Sequence, residues 1–170
     1  LRSYGVPDMN SKVFLEIKKK YRGLVNKRRT TLELGEAYDF IETGVKPELQ
    51  DYMNGQVLNE LEYCLNLYDL EPKVYIAYDR LAYFEKGNDD LRISFDTNIR
   101  TRRSDLLLES GDHGKRLLDS DVWLMEIKTS LAKPLWLCEM LSEFEIRSSS
   151  FSKYGTEYKN MMARQKEMPK

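Results

Sequence analysis

The chain has 170 residues, with 27 basic and 28 acidic side chains and a formal charge of −1, so net charge argues neither for nor against an anionic partner and only the placement of Lys and Arg can. At 41% hydrophobic and 32% charged it is long enough for one domain with a sizeable core, but many charges need a place. No apolar run approaches the ~20 residues of a membrane span, and no signal peptide is expected. Cys64 and Cys138 show no CxxC or Cys/His spacing, so neither a disulfide framework nor a zinc motif is present. Each cysteine reads as a buried structural thiol, and the default setting is the cytoplasm, with any membrane association left to segments outside the chain.

In chain order, Leu1–Tyr4 reads as the end of a strand entering a Gly/Pro/Asp turn; the expectation is an excised fragment lacking part of a first strand. Val13–Tyr21 and Leu24–Leu32 are predicted strands joined by a short hairpin at Arg22-Gly23. Glu33–Glu42 is predicted as a short helix ended near Gly44. Pro47–Leu67 is predicted as a long helix, with Pro47 in its first turn and Leu49, Met53, Val57, Leu61, Cys64 and Leu65 at three- and four-residue spacing. Val74–Phe84 and Leu91–Phe95 read as strands about a turn at Gly87–Asp90, and Thr101–Leu108 as a further strand. Ser110–Gly114 is a turn and Val122–Lys128 a strand. Pro134–Phe144 reads as an amphipathic helix packing through Leu135, Leu137, Cys138, Leu141 and Phe144. Residues 161–170 form a charged tail after a domain at 1–160, with Tyr158–Lys170 read as a frayed helix or a boundary. Hairpin-linked strands interrupted by helices predict an α+β fold around an antiparallel sheet.

The strands share one trait. Side chains two apart lie on one face, so Glu16, Lys18 and Lys20 align, as do Tyr78 and Arg80, then Arg92, Ser94 and Asp96, then Leu124, Glu126 and Lys128. Rows of like charge are unfavourable unless the face is solvated or meets a polyanion. One parity of Lys27-Arg28-Arg29 adds to the first row. Arg grips phosphate oxygens bidentately and Lys acts as a mobile point charge. Glu126, alone among basic residues, suits a cross-strand ion pair or a Mg²⁺ or Mn²⁺ that also binds substrate phosphates, since such an ion needs only one or two protein carboxylates. His113, in a Gly-rich turn, reads as solvent-exposed, which sets Ser-His-Asp chemistry aside. Neither GxxxxGK[ST] nor GxGxxG occurs, so P-loop and Rossmann sites are not expected. No RNA-recognition signature appears, so nucleic acid enters only as a generic polyanion.

Taken in order, Leu1-Arg2-Ser3-Tyr4-Gly5, Phe14-Leu15-Glu16-Ile17-Lys18, Tyr78-Asp79-Arg80, Leu91-Arg92-Ile93-Ser94-Phe95-Asp96, Met125-Glu126-Ile127-Lys128 and Ser150-Phe151-Ser152-Lys153-Tyr154-Gly155 resemble the VTC domain. That is the polyphosphate polymerase domain of the vacuolar transporter chaperone complex and its bacterial relatives, within the triphosphate tunnel metalloenzymes. The resemblance, of bacterial type, implies a closed antiparallel β-tunnel with basic side chains inward and helices outside. It implies transfer of the ATP γ-phosphoryl to a growing inorganic polyphosphate chain with Mn²⁺ or Mg²⁺. Carried over by position, Arg2, Lys18, Tyr78, Arg80 and Arg92 would grip phosphate oxygens and Glu126 would hold the metal. Lys153, with Ser152 beside it, would reach the phosphates from a late looped segment, and Arg28 would be a further tunnel arginine. Lys20 and Lys128 join them by strand parity. A second tunnel arginine of the family would stand two residues before the one matching Arg2, ahead of Leu1.

Phosphoryl transfer needs positioning and charge neutralisation more than covalent chemistry, so no protein nucleophile and no essential His or Cys is expected. The same cations would serve a tunnel triphosphatase with water as acceptor, or a non-catalytic polyphosphate- or nucleotide-binding module. A scaffold with a solvated charged face is the plain alternative.

Overall fold

The computed structural model describes residues 1–167, which form two compact units. The first comprises Leu1–Lys73 and Ser104–Asp112; the second comprises Val74–Arg103 and the chain from His113 onward.

In the first unit β1 (Lys12–Tyr21) and β2 (Leu24–Glu33) pair antiparallel, in register from Lys12 opposite Glu33 to Tyr21 opposite Leu24. Arg22 and Gly23 both take positive φ, 47° and 84°. That is the two-residue hairpin turn whose twist matches the strands. Arg2 bridges to Phe14 on the other edge of β1. α1 (Leu34–Thr43) follows at once; the Glu36 carboxylate accepts from the Glu33 N–H at 2.9 Å, and Gly44 ends the helix at φ 70°.

The long helix expected from Pro47 is shorter: α2 runs Gly55–Leu67. Its start is set by a tertiary contact. The Asn54 N–H donates to Thr30 Oγ1 of β2 at 2.9 Å, and Asn54 Oδ1 accepts from Val57 N–H at 3.1 Å, capping the helix. Leu49 and Met53, which extended the apolar period, lie in the segment before it. Val13, Leu15, Leu32, Leu34, Ala37, Phe40, Val57, Leu58 and Leu61 are buried, so one face of the hairpin carries the core with α1 and α2. Each of the Val, Leu and Phe side chains among them contributes roughly 1.5–3 kcal/mol on burial. Residues 104–112 are tied to α1 through Tyr38, whose hydroxyl accepts from Leu108 N–H and donates to Glu109. The strand expected at Thr101–Leu108 is absent; its first two residues end β4.

In the second unit β3 (Tyr75–Glu85) and β4 (Asn88–Arg102) form a long antiparallel hairpin, and β4 also pairs with β5 (Lys115–Arg116) and β6 (Leu124–Lys128). The turn is only Lys86-Gly87, with Gly87 at φ 78°, so residues expected in a longer turn belong to β4. A bulge lies between Ala77 and Asp79. Gly114 passes so close to β4 that a Cβ there would sit 2.9 Å from the Thr101 carbonyl oxygen. Val122 falls outside β6 because its N–H donates to Asp119 O in the preceding turn.

α3 spans Leu135–Glu143; Leu137 is its buried residue, while Leu135, Cys138 and Phe144 are exposed, against the expected packing face and the expected buried thiol at Cys138. α4 spans Lys153–Glu167. Its beginning corrects the expected loop at Ser152-Lys153: Ser152 Oγ accepts from Gly155 N–H at 3.1 Å and Ser152 O from Thr156 N–H at 2.8 Å, so Ser152 caps the helix and Lys153 stands in its first turn. The expected tail from residue 161 continues α4 to Glu167; its last residues, 168–170, lie outside the described residues.

The chain is thus α+β with antiparallel sheets, and neither sheet closes on itself among the described residues. Among them no helix is long and apolar enough to cross a membrane.

Candidate functional site

Each unit presents one charged sheet face. In an antiparallel pair, directly opposite residues share a side. The β1–β2 register therefore puts Phe14, Glu16, Lys18 and Lys20 with Thr31, Arg29, Lys27 and Val25. The other face carries Val13, Leu15 and Ile17 with Leu32, Thr30 and Arg28. Lys18 and Lys20 thus share a face, as their parity predicts, and both are exposed. Arg28 does not join them: it is on the helix-facing side, where it pairs with Glu60 of α2, and Lys19 reaches the same carboxylate at 2.9 Å. The arginine on the Lys18 face is Arg29, whose guanidinium lies 4.7 Å from the Phe14 ring centroid.

Glu16 sits within this basic row. Lys27 Nζ is 2.8 Å from its carboxylate and Arg2 is 3.9 Å away. Burial pushes the Glu16 carboxyl up, but the ammonium of Lys27, then Arg2 and Lys18, outweigh it and hold the group below its ordinary value. Glu16 therefore stays ionised and offsets part of the repulsion among the cations around it.

The second unit's face is built on β4. Arg92, Ser94 and Asp96 share a side, opposite Phe84, Ala82 and Arg80 of β3, and opposite Lys128, Glu126 and Leu124 of β6. Its centre is Asp96, whose side chain is only 1% exposed. Arg80 donates to both carboxylate oxygens, Nε to Oδ1 at 2.5 Å and Nη2 to Oδ2 at 2.8 Å. Lys153, from the first turn of α4, donates to Oδ2 at 2.6 Å. Tyr78, which faces the β4 bulge at Asn98-Ile99, backs both cations: its ring centroid lies 4.9 Å from the Arg80 guanidinium and 4.5 Å from Lys153 Nζ. Burial pushes the Asp96 carboxyl up, yet the hydrogen bonds from Arg80 and Lys153 prevail and hold it below its usual value. Arg80 is raised, chiefly by its bonds to Asp96.

Glu126 stands nearby, 3.8 Å from Arg80 Nη2 and 3.2 Å from Lys128 Nζ, with its side chain 45% exposed. Arg92 shares the face, 5.4 Å from the Phe84 ring centroid. The structure thus gathers Tyr78, Arg80, Glu126, Lys128 and Lys153, with Arg92 directly opposite Lys128. Ser152 contributes its helix cap.

On the first face the parity of Lys27-Arg28-Arg29 that joins Lys18 is Lys27 with Arg29; on the second, Asp96 is a member that sequence reading did not single out as a site residue. Asp96 carried a signal, since it shares parity with Arg92, but a lone acid on a strand does not disclose its partners.

Among the described residues no group of three or more His, Cys, Asp and Glu could hold a metal ion by itself. Asp96 is fully engaged by cations. Glu126, exposed and less tightly held, fits a hard divalent cation that takes its remaining oxygens from phosphates and water. What the second face offers is several fixed cations, one available carboxylate and an aromatic support, a set suited to a chain of phosphates.

A comparison with individually curated proteins returned no match. The family model of the VTC domain matches residues 1–162. With that match across nearly the whole chain, the protein belongs to the VTC domain family, and its role is tied to polyphosphate.

Proposed function

We propose that this domain is a polyphosphate polymerase, transferring the γ-phosphoryl group of ATP to the end of an inorganic polyphosphate chain. The observation that carries the reading is the convergence of Arg80 and Lys153 on buried Asp96, on a face that also holds Arg92, Lys128 and Glu126. The closed tunnel implied by the family is part of this proposal.

On the second unit's face Arg80 and Lys153 would grip the transferring phosphoryl group, with Arg92 as a further catalytic cation, Lys128 and Tyr78 would hold flanking phosphates, and Ser152 serves by capping the helix that presents Lys153. On the first unit's face Lys18 would be the catalytic cation, and Arg2, Lys20 and Arg29 would bind phosphate oxygens. Glu126 would hold Mn²⁺ or Mg²⁺, which when bound supplies further neutralisation of phosphate charge. A terminal oxygen of the acceptor chain attacks the γ-phosphorus, the bond to the β-phosphate oxygen breaks, and ADP leaves. The protein's cations hold donor and acceptor in line and offset their mutual repulsion. No side chain forms a covalent intermediate.

The test is incubation of the chain with ATP and Mn²⁺, with and without a short polyphosphate primer, and separation of the products by length. A lengthening ladder is the expected result. Free phosphate without a ladder would instead make the domain a triphosphatase, and saturable tripolyphosphate binding without turnover would make it a binding module.

A further inference from the structure

Asp96 is an acid where an anion would bind, and its negative charge by itself opposes phosphate. Its geometry argues for a different role. Its oxygens take the Nε–H and one Nη2–H of Arg80, which fixes the guanidinium side-on and leaves its other N–H groups for a ligand. The same carboxylate holds Lys153. Four residues further along α4, Glu157 accepts from Arg103 at 2.8 and 2.6 Å, and it too is buried. Residues four apart share a helix face, so two ion pairs of opposite sense clamp α4 to the sheet, and one of them runs through Asp96. Two like-charged cations would otherwise repel; here they stand beside one ring and one carboxylate.

We infer that Asp96 is a positioning residue: it orients Arg80 and docks the first turn of α4, so that Arg80 and Lys153 present a fixed pair of cations to a phosphate chain. This rests on the polyphosphate reading and adds to it a residue that does not touch substrate. Preorganised cations pay less ordering entropy on binding than two free long side chains do.

The sign of one substitution decides the matter. If Asp96 acted only through its charge, Asp96→Asn would tighten binding of an anion. The positioning role demands the opposite. Calorimetry with inorganic tripolyphosphate, on protein whose melting confirms that it is folded, should find Asp96→Asn weaker than the parent by about ten-fold or more. In an Arg80→Gln, Lys153→Gln background, adding Asp96→Asn should cost nothing further, since its effect runs through those two cations. Asp96→Glu keeps the charge but displaces both partners, and it should also weaken binding; it decides the question if Asp96→Asn does not fold. Equal or tighter binding by folded Asp96→Asn, or parent-like binding by Asp96→Glu, overturns the inference alone. A parent that binds no tripolyphosphate overturns both this role and the polyphosphate reading.

Discussion

Arg28 pairs with Glu60 of α2 on the face of the β1–β2 hairpin opposite to Lys18. Adjacent arginines therefore have different duties: Arg28 helps seat a helix, and Arg29 stands in the basic row. Arg29→Ala should weaken tripolyphosphate binding about ten-fold by removing charge-assisted hydrogen bonds. Arg28→Ala should leave affinity within about two-fold and lower the Tm only modestly, as a partly exposed pair does. Calorimetry and thermal melts on the two variants separate the roles, and a reversed ranking would return Arg28 to the site.

Arg80 uses the fork of its guanidinium on Asp96, which a lysine cannot reproduce. Arg80→Ala should nearly abolish turnover. Arg80→Lys should retain the charge yet lose about a hundred-fold in kcat/KM, the scale of two charge-assisted hydrogen bonds. Steady-state kinetics with ATP would show this; parent-like kinetics in Arg80→Lys would reduce the residue to a point charge.

Glu126 is nearly half exposed and only loosely paired, so its loss should spare the fold. Glu126→Gln should melt within a few degrees of the parent but require far more Mn²⁺ for half-maximal turnover. A titration of activity against metal measures this. Unfolding of the variant would instead mark Glu126 as a structural partner of Lys128.

Asp96 has a folded-state carboxyl held below its ordinary value. A depressed carboxyl stabilises the fold at neutral pH, fully so above the unfolded value of about 3.9, and that contribution is lost as pH falls through the lower folded value. The parent's Tm should therefore drop as pH goes below about 4. Asp96→Asn should begin lower and drop less steeply, with Glu16, Glu60, Glu71, Asp79 and Asp90, also depressed, contributing to the remaining slope. Melting curves across acid pH test this; identical slopes would mean that Asp96 is not ionised against Arg80 and Lys153.

Asn54 caps α2 and binds β2 through Thr30. Asn54→Ala should cost about 1 kcal/mol of stability, the usual value of such a cap, with tripolyphosphate affinity unchanged. Denaturant unfolding gives the first quantity and calorimetry the second.

The sequence by itself determined the parts that depend on local spacing. A period of two aligns Glu16 with Lys18 and Arg92 with Asp96 whatever the strands pair with, and Arg22-Gly23 and Gly44 mark a turn and a helix end through backbone conformation alone. The ordered motifs carried the family. Tertiary structure decided what periodicity leaves open. In Lys27-Arg28-Arg29 every residue is charged, so parity cannot say which faces the core; the register against β1 and the position of Glu60 do. The start of α2 depended on Thr30, 24 residues before Asn54. The partnership of Asp96 with Lys153 spans 57 residues and joins a strand to a helix whose first turn read as a looped segment. An ion pair of that separation leaves no local pattern, because its energy is realised only when packing removes both groups from water together.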